Sequence, residues 1–324
     1  MPPVILVVAE VAEGTLTRLS VEVGTLARQL AAGAGGTAIG LVVDPSPDGA
    51  AGELAGYLPR VVAVTSAAAA SETWAPHAVS EVRRLVEEGV THVLLPATTE
   101  GRDVAGALVG LLGWGVLANA SGVTWDGDGP AVRATVLGGK AITTSVFAAG
   151  TGIVTVAPGA TTAEAGTARG VIESRAATGA SLPGVAVVDR VAEAGAEASL
   201  EEARVVVVGG CGVGGPEGFA VVEDLASLLG GVVGATRASV DAGWIAYARQ
   251  IGQTGKIVKP VLYLGLGGSG AMQHRVGMQS SEVIVAVNRD PDAPIAEVAD
   301  LFVVGDLFAV GPALAAEVRA RRTG

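Results

Sequence analysis

Short apolar runs recur along this chain, and each is followed by a stretch whose apolar residues fall at helical spacing. Val4 to Ala9, Ala38 to Val43, Val61 to Thr65, His92 to Pro96 and Gly152 to Ala157 read as strands, with Val21 to Leu30, Ala78 to Glu88 and Asp103 to Leu112 as helices between them. Such alternation leaves few folds open. Parallel strands need a crossover, the crossover helix covers the sheet, and an α/β architecture results. Ala131 to Ala148 departs from the pattern and alternates as a β-hairpin about Gly138 and Gly139.

At 324 residues the chain exceeds one such domain, and against a prior of about 150 residues each it divides into two. From Thr161 to Glu202 the periodicity fades and Gly, Ala, Ser and Glu dominate, which reads as an extended connector with a boundary near Glu202. Charge supports the cut. Residues 1–202 carry 11 basic and 21 acidic side chains, whereas residues 203–324 carry 10 and 11. The second segment is therefore the better host for an anionic ligand. The expected organisation is a parallel-sheet, nucleotide-binding-like domain with connector over 1–202 and a doubly wound, Rossmann-like domain over 203–324.

A net charge of −11 argues against nucleic acid as a partner, because that affinity comes from neutralising phosphates. With half its residues hydrophobic and 16% charged, the chain is not disordered. One cysteine excludes an intrachain disulfide framework and any cysteine-rich metal site, and it fits a reducing compartment. Met1 to Glu10 enters a strand with no basic leader, and the apolar stretch Val104 to Ala118 is too short and glycine-rich to span a bilayer. The expectation is a soluble cytoplasmic protein with no membrane insertion.

Glycine fills 48 positions, and no collagen-like period or linker accounts for them, so they belong in tight turns and close backbone approaches. Arg204 to Val208 is a buried-strand run followed by Gly210, Gly212 and Gly215 at G-x-G-x-x-G spacing, then Phe219 to Leu229 at helical spacing with Pro216 suited to the first turn. Such a turn offers free N–H groups to a diphosphate. The nicotinamide version places an acidic residue about twenty positions on, but here the strand Gly231 to Gly234 ends in Ala235-Thr236-Arg237. Gln250 to Lys256 sets two amides and a hydroxyl among glycines, groups that can bond a planar heterocycle.

Gly267 to His274, after the strand Val261 to Leu266, has the Gly-x-Ser-x-Ala form of a nucleophile elbow. The only later histidine is His274, five residues on along the same helix, which argues against a hydrolase triad. Ser269 at a helix start is then an anion contact, with His274 reaching into the ligand site. Asn288-Arg289-Asp290 and Gly305-Asp306-Leu307-Phe308 follow strands Val283 to Val287 and Leu301 to Val304, where an open parallel sheet builds its crevice. His77 and His92 lack partners at metal-ligand spacing and read as structural. Cys211 reads as a small buried thiol.

In this order, Gly209 to Phe219, Gly234 to Gly243, Gln250 to Lys256, Gly268 to Met278 and Asn288 to Phe308 resemble the carboxyl-terminal half of electron-transfer flavoprotein alpha subunits. Leu95 to Asp103 and the Val132 to Thr143 hairpin are similar more loosely to the first domain of that family. The resemblance implies an FAD-binding domain over 203–324 in a heterodimer with a beta subunit, which carries AMP or a second FAD. It implies an electron carrier, not a substrate-converting enzyme, working between flavin dehydrogenases, such as the acyl-CoA dehydrogenases of fatty acid β-oxidation, and a membrane quinone oxidoreductase or other acceptor.

By motif, Arg237 and Thr254 would lie beside the isoalloxazine ring, Thr254 near N5, and His274 near its pyrimidine carbonyl. Thr236, Gln250, Gln253, Ser269, Gln273, Asn288 and Asp306 would hold the ribityl, diphosphate and adenosine parts, with Cys211, Gly252, Gly268, Gly270 and Leu307 lining the site. The chain departs from the family pattern at Cys211, where the glycine loop usually has arginine, and more mildly at Thr236, where serine is usual. The residues leave two other readings open: a nicotinamide- or other nucleotide-binding module, and an interaction subunit without cofactor.

Overall fold

The aliphatic runs become the inner strands of two parallel sheets, and each sheet belongs to its own unit of the chain, Met1–Val191 and Ala192–Gly324. The structure is a computed structural model that describes residues 2–323 apart from 13, 128, 137–140, 168, 180–184, 189–199 and 202.

The first unit runs β1 (Val4–Ala9), a two-residue ribbon β2 (Val11–Ala12) and β3 (Thr15–Leu16), α1 (Arg18–Gly33), β4 (Thr37–Asp44), α2 (Asp48–Leu54), β5 (Arg60–Thr65), α3 (Ala75–Glu87), β6 (His92–Pro96) and α4 (Thr99–Leu112). Then follow β7 (Val116–Ala120), β8 (Gly122–Asp126), β9 (Gly129–Val136), β10 (Ala141–Ser145), β11 (Gly152–Val156) and β12 (Val171–Ala176). Seven strands pair parallel in the order β12-β5-β4-β1-β6-β11-β7. Ile5 to Val8 are wholly buried because α1 covers one face of the sheet while α3 and α4 cover the other. This explains why β1 reads as a continuous apolar run instead of alternating. The expected hairpin is present as antiparallel β9 and β10, joined by β8 in a separate three-stranded sheet. Its Gly138-Gly139 turn lies outside the described residues.

Gly113, with φ +66°, divides the stretch Val104 to Ala118 by ending α4 in a left-handed turn, after which the chain re-enters the sheet as β7. One expectation is corrected. The expected connector is not merely a link between units, since within it β12 joins the first sheet, pairing parallel with β5, Val171 opposite Arg60 and Ala176 opposite Thr65. Gly166 and Gly170 donate to the Gly56 and Ala55 carbonyls on the way in. This strand had no apolar signal because it is an edge, held from the side by charge. Arg175 bonds Glu173 at 2.6 Å and Glu88 at 2.8 Å, and Arg60 bonds Glu173 at 2.7 Å.

The second unit contains β13 (Val205–Gly209), α5 (Phe219–Leu229), β14 (Val232–Ala235), α6 (Arg237–Asp241), β15 (Leu262–Leu266), α7 (Met272–Arg275), β16 (Val283–Asn288), β17 (Leu301–Val304) and α8 (Leu307–Thr323). Its sheet is β14-β13-β15-β16-β17, all parallel. Counted within the unit this is the order 2-1-3-4-5, whose direction reverses between β13 and β15. Ligands of open α/β sheets bind outside the carboxyl ends of the strands at such a reversal. Among the described residues no helix is long and apolar enough to cross a membrane.

Candidate functional site

The two glycine turns that leave β13 and β15 meet at the reversal. Gly210 N–H donates to the Leu266 carbonyl and Gly212 N–H to the Gly267 carbonyl, each at 2.9 Å. A Cβ on Gly210 would stand 2.4 Å from Gly268 Cα, and one on Gly212 2.7 Å from Gly267 Cα. The G-x-G-x-x-G glycines thus let two backbones touch. They do not offer these two N–H groups to a diphosphate, which corrects the sequence expectation. The free donors belong to the neighbouring turn. Among the described residues nothing accepts from the N–H groups of Gly268, Ser269 and Gly270, a segment bracketed by left-handed Gly267 and Gly270.

Thr236 closes β14. Its N–H bonds the Gly209 carbonyl at 3.1 Å, its hydroxyl lies 3.2 Å from that of Ser239, and its Cγ2 faces Gly268. Arg237 follows on α6 with its side chain 66% exposed and its Nε 3.1 Å from Asp241 one turn on. The expected cation is present, but at the surface and partly compensated.

The Gln250 to Lys256 loop is fastened on two sides. Ile251 N–H bonds the Ala235 carbonyl at 3.0 Å, and Gln253 N–H bonds the Gln273 carbonyl at 2.7 Å. Gly252, at φ +142°, approaches Gln273 so closely that a Cβ would lie 2.8 Å from its carbonyl oxygen. Gln250 is buried, and its amide donates to the Thr254 hydroxyl at 3.1 Å, while Tyr247 donates to the Thr254 carbonyl at 2.6 Å. Gln250 therefore aims Thr254, and Gln253 and Thr254 are exposed, as are Ser269 and Gln273.

His274 is 7% exposed, and both ring nitrogens are engaged inside the protein, Nδ1 with the Ile251 carbonyl at 2.9 Å and Nε2 with the Tyr263 hydroxyl at 2.7 Å. Burial pushes its imidazole below the usual range. The sequence expects this ring to reach a ligand, but in the structure neither nitrogen is free to do so.

On the far side, Asn288 donates to the Gly268 carbonyl at 2.9 Å and accepts from Asp290 N–H at 3.1 Å. Asp306 accepts from Phe308 N–H at 3.0 Å at the start of α8 and bonds Arg289 at 2.7 Å. The Phe308 N–H first, then the Arg289 guanidinium, hold its carboxyl below the usual range. Leu307 is buried against Gly267. Cys211 is exposed, which corrects the expectation of a buried thiol, because a 3₁₀ turn from Cys211 to Val213 lifts it out of the strand.

The fold thus gathers Thr236, Gly268, Ser269, Gly270 and Asn288 at the turn after β15, and Gln250, Gly252, Gln253, Thr254, Gln273 and His274 around the second loop. Asp306 stands at the end of β17. Free N–H groups, hydroxyls, amides and the Arg237 guanidinium converge at the carboxyl edge, a donor-rich lining that fits phosphates and a carbonyl-rich ring. Sequence reasoning missed Tyr263 and Tyr247. A phenol in the aliphatic run Val261 to Leu266 was the available signal, since a buried tyrosine hydroxyl needs a partner.

A cavity of about 380 Å³ in the first unit is lined by Asp44, Glu72, Glu100 and Asp103 around Trp74, with no basic side chain among the described lining residues, and would repel a diphosphate. His77 bonds Ser66 and Glu72, and His92 packs against Trp125. Among the described residues no group of three His, Cys, Asp or Glu is placed to hold a metal ion.

Comparison with known proteins assigns residues 5–180 to the family described as the electron transfer flavoprotein domain and residues 199–279 to the electron transfer flavoprotein FAD-binding domain. Curated relatives named electron transfer flavoprotein subunit alpha include that of Mycobacterium leprae, 40% identical over 98% of both chains. That of Mycobacterium tuberculosis is 41% identical over 98% of this chain and 99% of its own. That of Bacillus subtilis is 35% identical over 97% of both.

Proposed function

The chain belongs to the electron transfer flavoprotein alpha-subunit family, and on that premise we propose that it holds FAD in residues 203–324 and relays electrons as one half of a heterodimer with a beta subunit. FAD, when bound, supplies a ring that accepts and releases electrons singly, as a carrier between unlike donors and acceptors requires. The donor-rich lining of the crevice fits this group. The free N–H groups of Gly268, Ser269 and Gly270, with the Ser269 and Gln273 side chains, hold the diphosphate. Asn288 braces that turn from beneath, and Thr236 closes it from the β14 side.

Gln250 orients the Thr254 hydroxyl for the ring, and Arg237 supplies a cation whose field favours added negative charge. A unit charge about 4 Å away contributes about 1 kcal/mol in water and about 4 kcal/mol at an effective dielectric of 20. With its side chain exposed and paired to Asp241, Arg237 acts nearer the lower figure until a partner excludes water.

We assign residues 1–202, with their acidic excess, to beta-subunit contact. The electrons come from flavin dehydrogenases such as those acting on acyl-CoA and pass to a quinone oxidoreductase or another acceptor, from a cytoplasmic complex. The observation that carries the reading is the meeting of the 210–212 and 267–270 turns at the sheet reversal, which leaves three N–H groups free at one point. Coexpression with the beta subunit tests it: the purified complex should be yellow with flavin bands, and a colourless complex that refuses added FAD overturns it.

A further inference from the structure

We propose that Tyr247 is a positioning residue that closes a ring of three hydrogen bonds with Gln250 and Thr254, and so sets where Thr254 presents its donors to a ligand. Gln250 N–H donates to the Tyr247 carbonyl at 2.9 Å, and the Gln250 side-chain amide donates to the Thr254 hydroxyl at 3.1 Å. The Tyr247 hydroxyl then donates to the Thr254 carbonyl at 2.6 Å. A carbonyl only accepts, so the direction of that last bond is fixed. Gln250, 2% exposed, is the buried corner of the ring, whereas Tyr247 is 65% exposed and Thr254 stands beside it at the surface. A 3₁₀ turn from Tyr247 to Arg249 brings the three residues within reach of one another.

Thr254 needs such a hold, because Gly252 and Gly255 on either side of it bring wide backbone freedom. Gly255 N–H donates to the Gly252 carbonyl at 3.0 Å and closes the turn on its inner side. The phenol holds the same peptide from the outer side through the Thr254 carbonyl. Since the Thr254 oxygen accepts from Gln250, its own hydrogen is left for another acceptor, and among the described residues nothing accepts from the Thr254 N–H. Thr254 thus offers two donors, with Gln250 aiming the hydroxyl and Tyr247 aiming the main chain. Tyr247 acts through Thr254 and adds no charge of its own. The consequence for the flavin rests on the function proposed above, whereas the ring of hydrogen bonds does not.

Tyr247→Phe in the alpha–beta complex is the test, because the exposed position accepts the aromatic ring without its hydroxyl. One exposed hydrogen bond lies at the low end of the usual range, so hydrogen exchange in peptides covering residues 250–256 should quicken about twofold to threefold. Bound FAD should dissociate faster by a similar factor. The one-electron midpoint potential should move by roughly 20–30 mV, which is that factor at about 59 mV per tenfold. The melting temperature should change little, whereas a purely structural role would lower it and leave the potential alone. Wild-type exchange or a wild-type potential in the variant overturns the proposal. If the wild-type complex holds no FAD, the functional reading fails and exchange alone decides: faster exchange in the variant supports the ring of hydrogen bonds, and unchanged exchange overturns it.

Discussion

The Asn288 side-chain amide donates to the Gly268 carbonyl at 2.9 Å, so the end of β16 holds the turn that follows β15. Gly210, Gly212 and Ile295 N–H groups also bond its carbonyls, while among the described residues nothing accepts from the N–H groups of Gly268, Ser269 and Gly270. Asn288→Ala should weaken FAD retention by about threefold to tenfold, in line with about 0.5–1.5 kcal/mol for one such bond, while the melting temperature changes little. Asn288→Asp should behave no better, since a carboxylate cannot donate to a carbonyl. Flavin content after dialysis of the complex measures both.

Gly210→Ala should be far more damaging than an exposed glycine-to-alanine change. The new methyl would stand 2.4 Å from Gly268 Cα, a backbone atom that cannot swing aside, although φ at Gly210 is an unstrained −98°. The expected loss is roughly 1–3 kcal/mol, the usual range for overpacking a tight contact, together with loss of bound flavin. Gly33→Ala, in a helix with open space around it, should be neutral or stabilising and serves as the control. Thermal unfolding of the two variants reads the difference.

His92 should make the protein acid-sensitive. Thr91 Oγ1 donates to the Val4 carbonyl and accepts from Val4 N–H, so toward His92 Nδ1 it acts as a second acceptor, and the hydrogen sits on Nδ1. Among the described residues Nε2 then has no partner, buried beside Trp125. Burial lowers the imidazole from 6.5 to about 4. The folded state therefore binds a proton less readily than the unfolded chain, and stability falls as pH drops from about 6.5 to about 4. His92→Leu should remove that part of the slope and stabilise the protein at neutral pH by about 1 kcal/mol, because the unsatisfied atom is gone. Denaturant titrations at several pH values, variant against wild type, check the sign.

The edge strand β12 should loosen in acid for the opposite reason. Arg175 first, then Arg60, hold the Glu173 carboxyl at about 2, below its usual 4.5. Its contribution is present above that usual value and disappears as pH falls toward 2. Hydrogen-exchange protection in residues 171–176 should decline over this window. Arg175→Met should lower protection at neutral pH and flatten the dependence.

Much of the fold was legible because buried parallel strands are written as apolar runs. β1, β6, α5 and β17 coincide with the residues read from sequence, and the parallel direction of the strands follows from each leading into a crossover. The edge strand β12 was not legible, because its pairing rests on Arg175, Glu173, Glu88 and Arg60, which lie far apart in the chain. Nor was the division of labour between the glycines, since spacing cannot say whether an N–H meets a ligand or a carbonyl of another loop.

The sequence by itself determined the α/β class, the family and the set of polar residues delivered to the carboxyl edge, because periodicity and motif order are local properties of a chain. Only the tertiary structure decided what each of them does there. Gln250 turns inward to aim Thr254, Arg237 is paired with Asp241 at the surface, and His274 is held between Tyr263 and Ile251. The physical reason is that a polar group's role is set by which partner reaches it first once water is excluded, and those partners come from other strands.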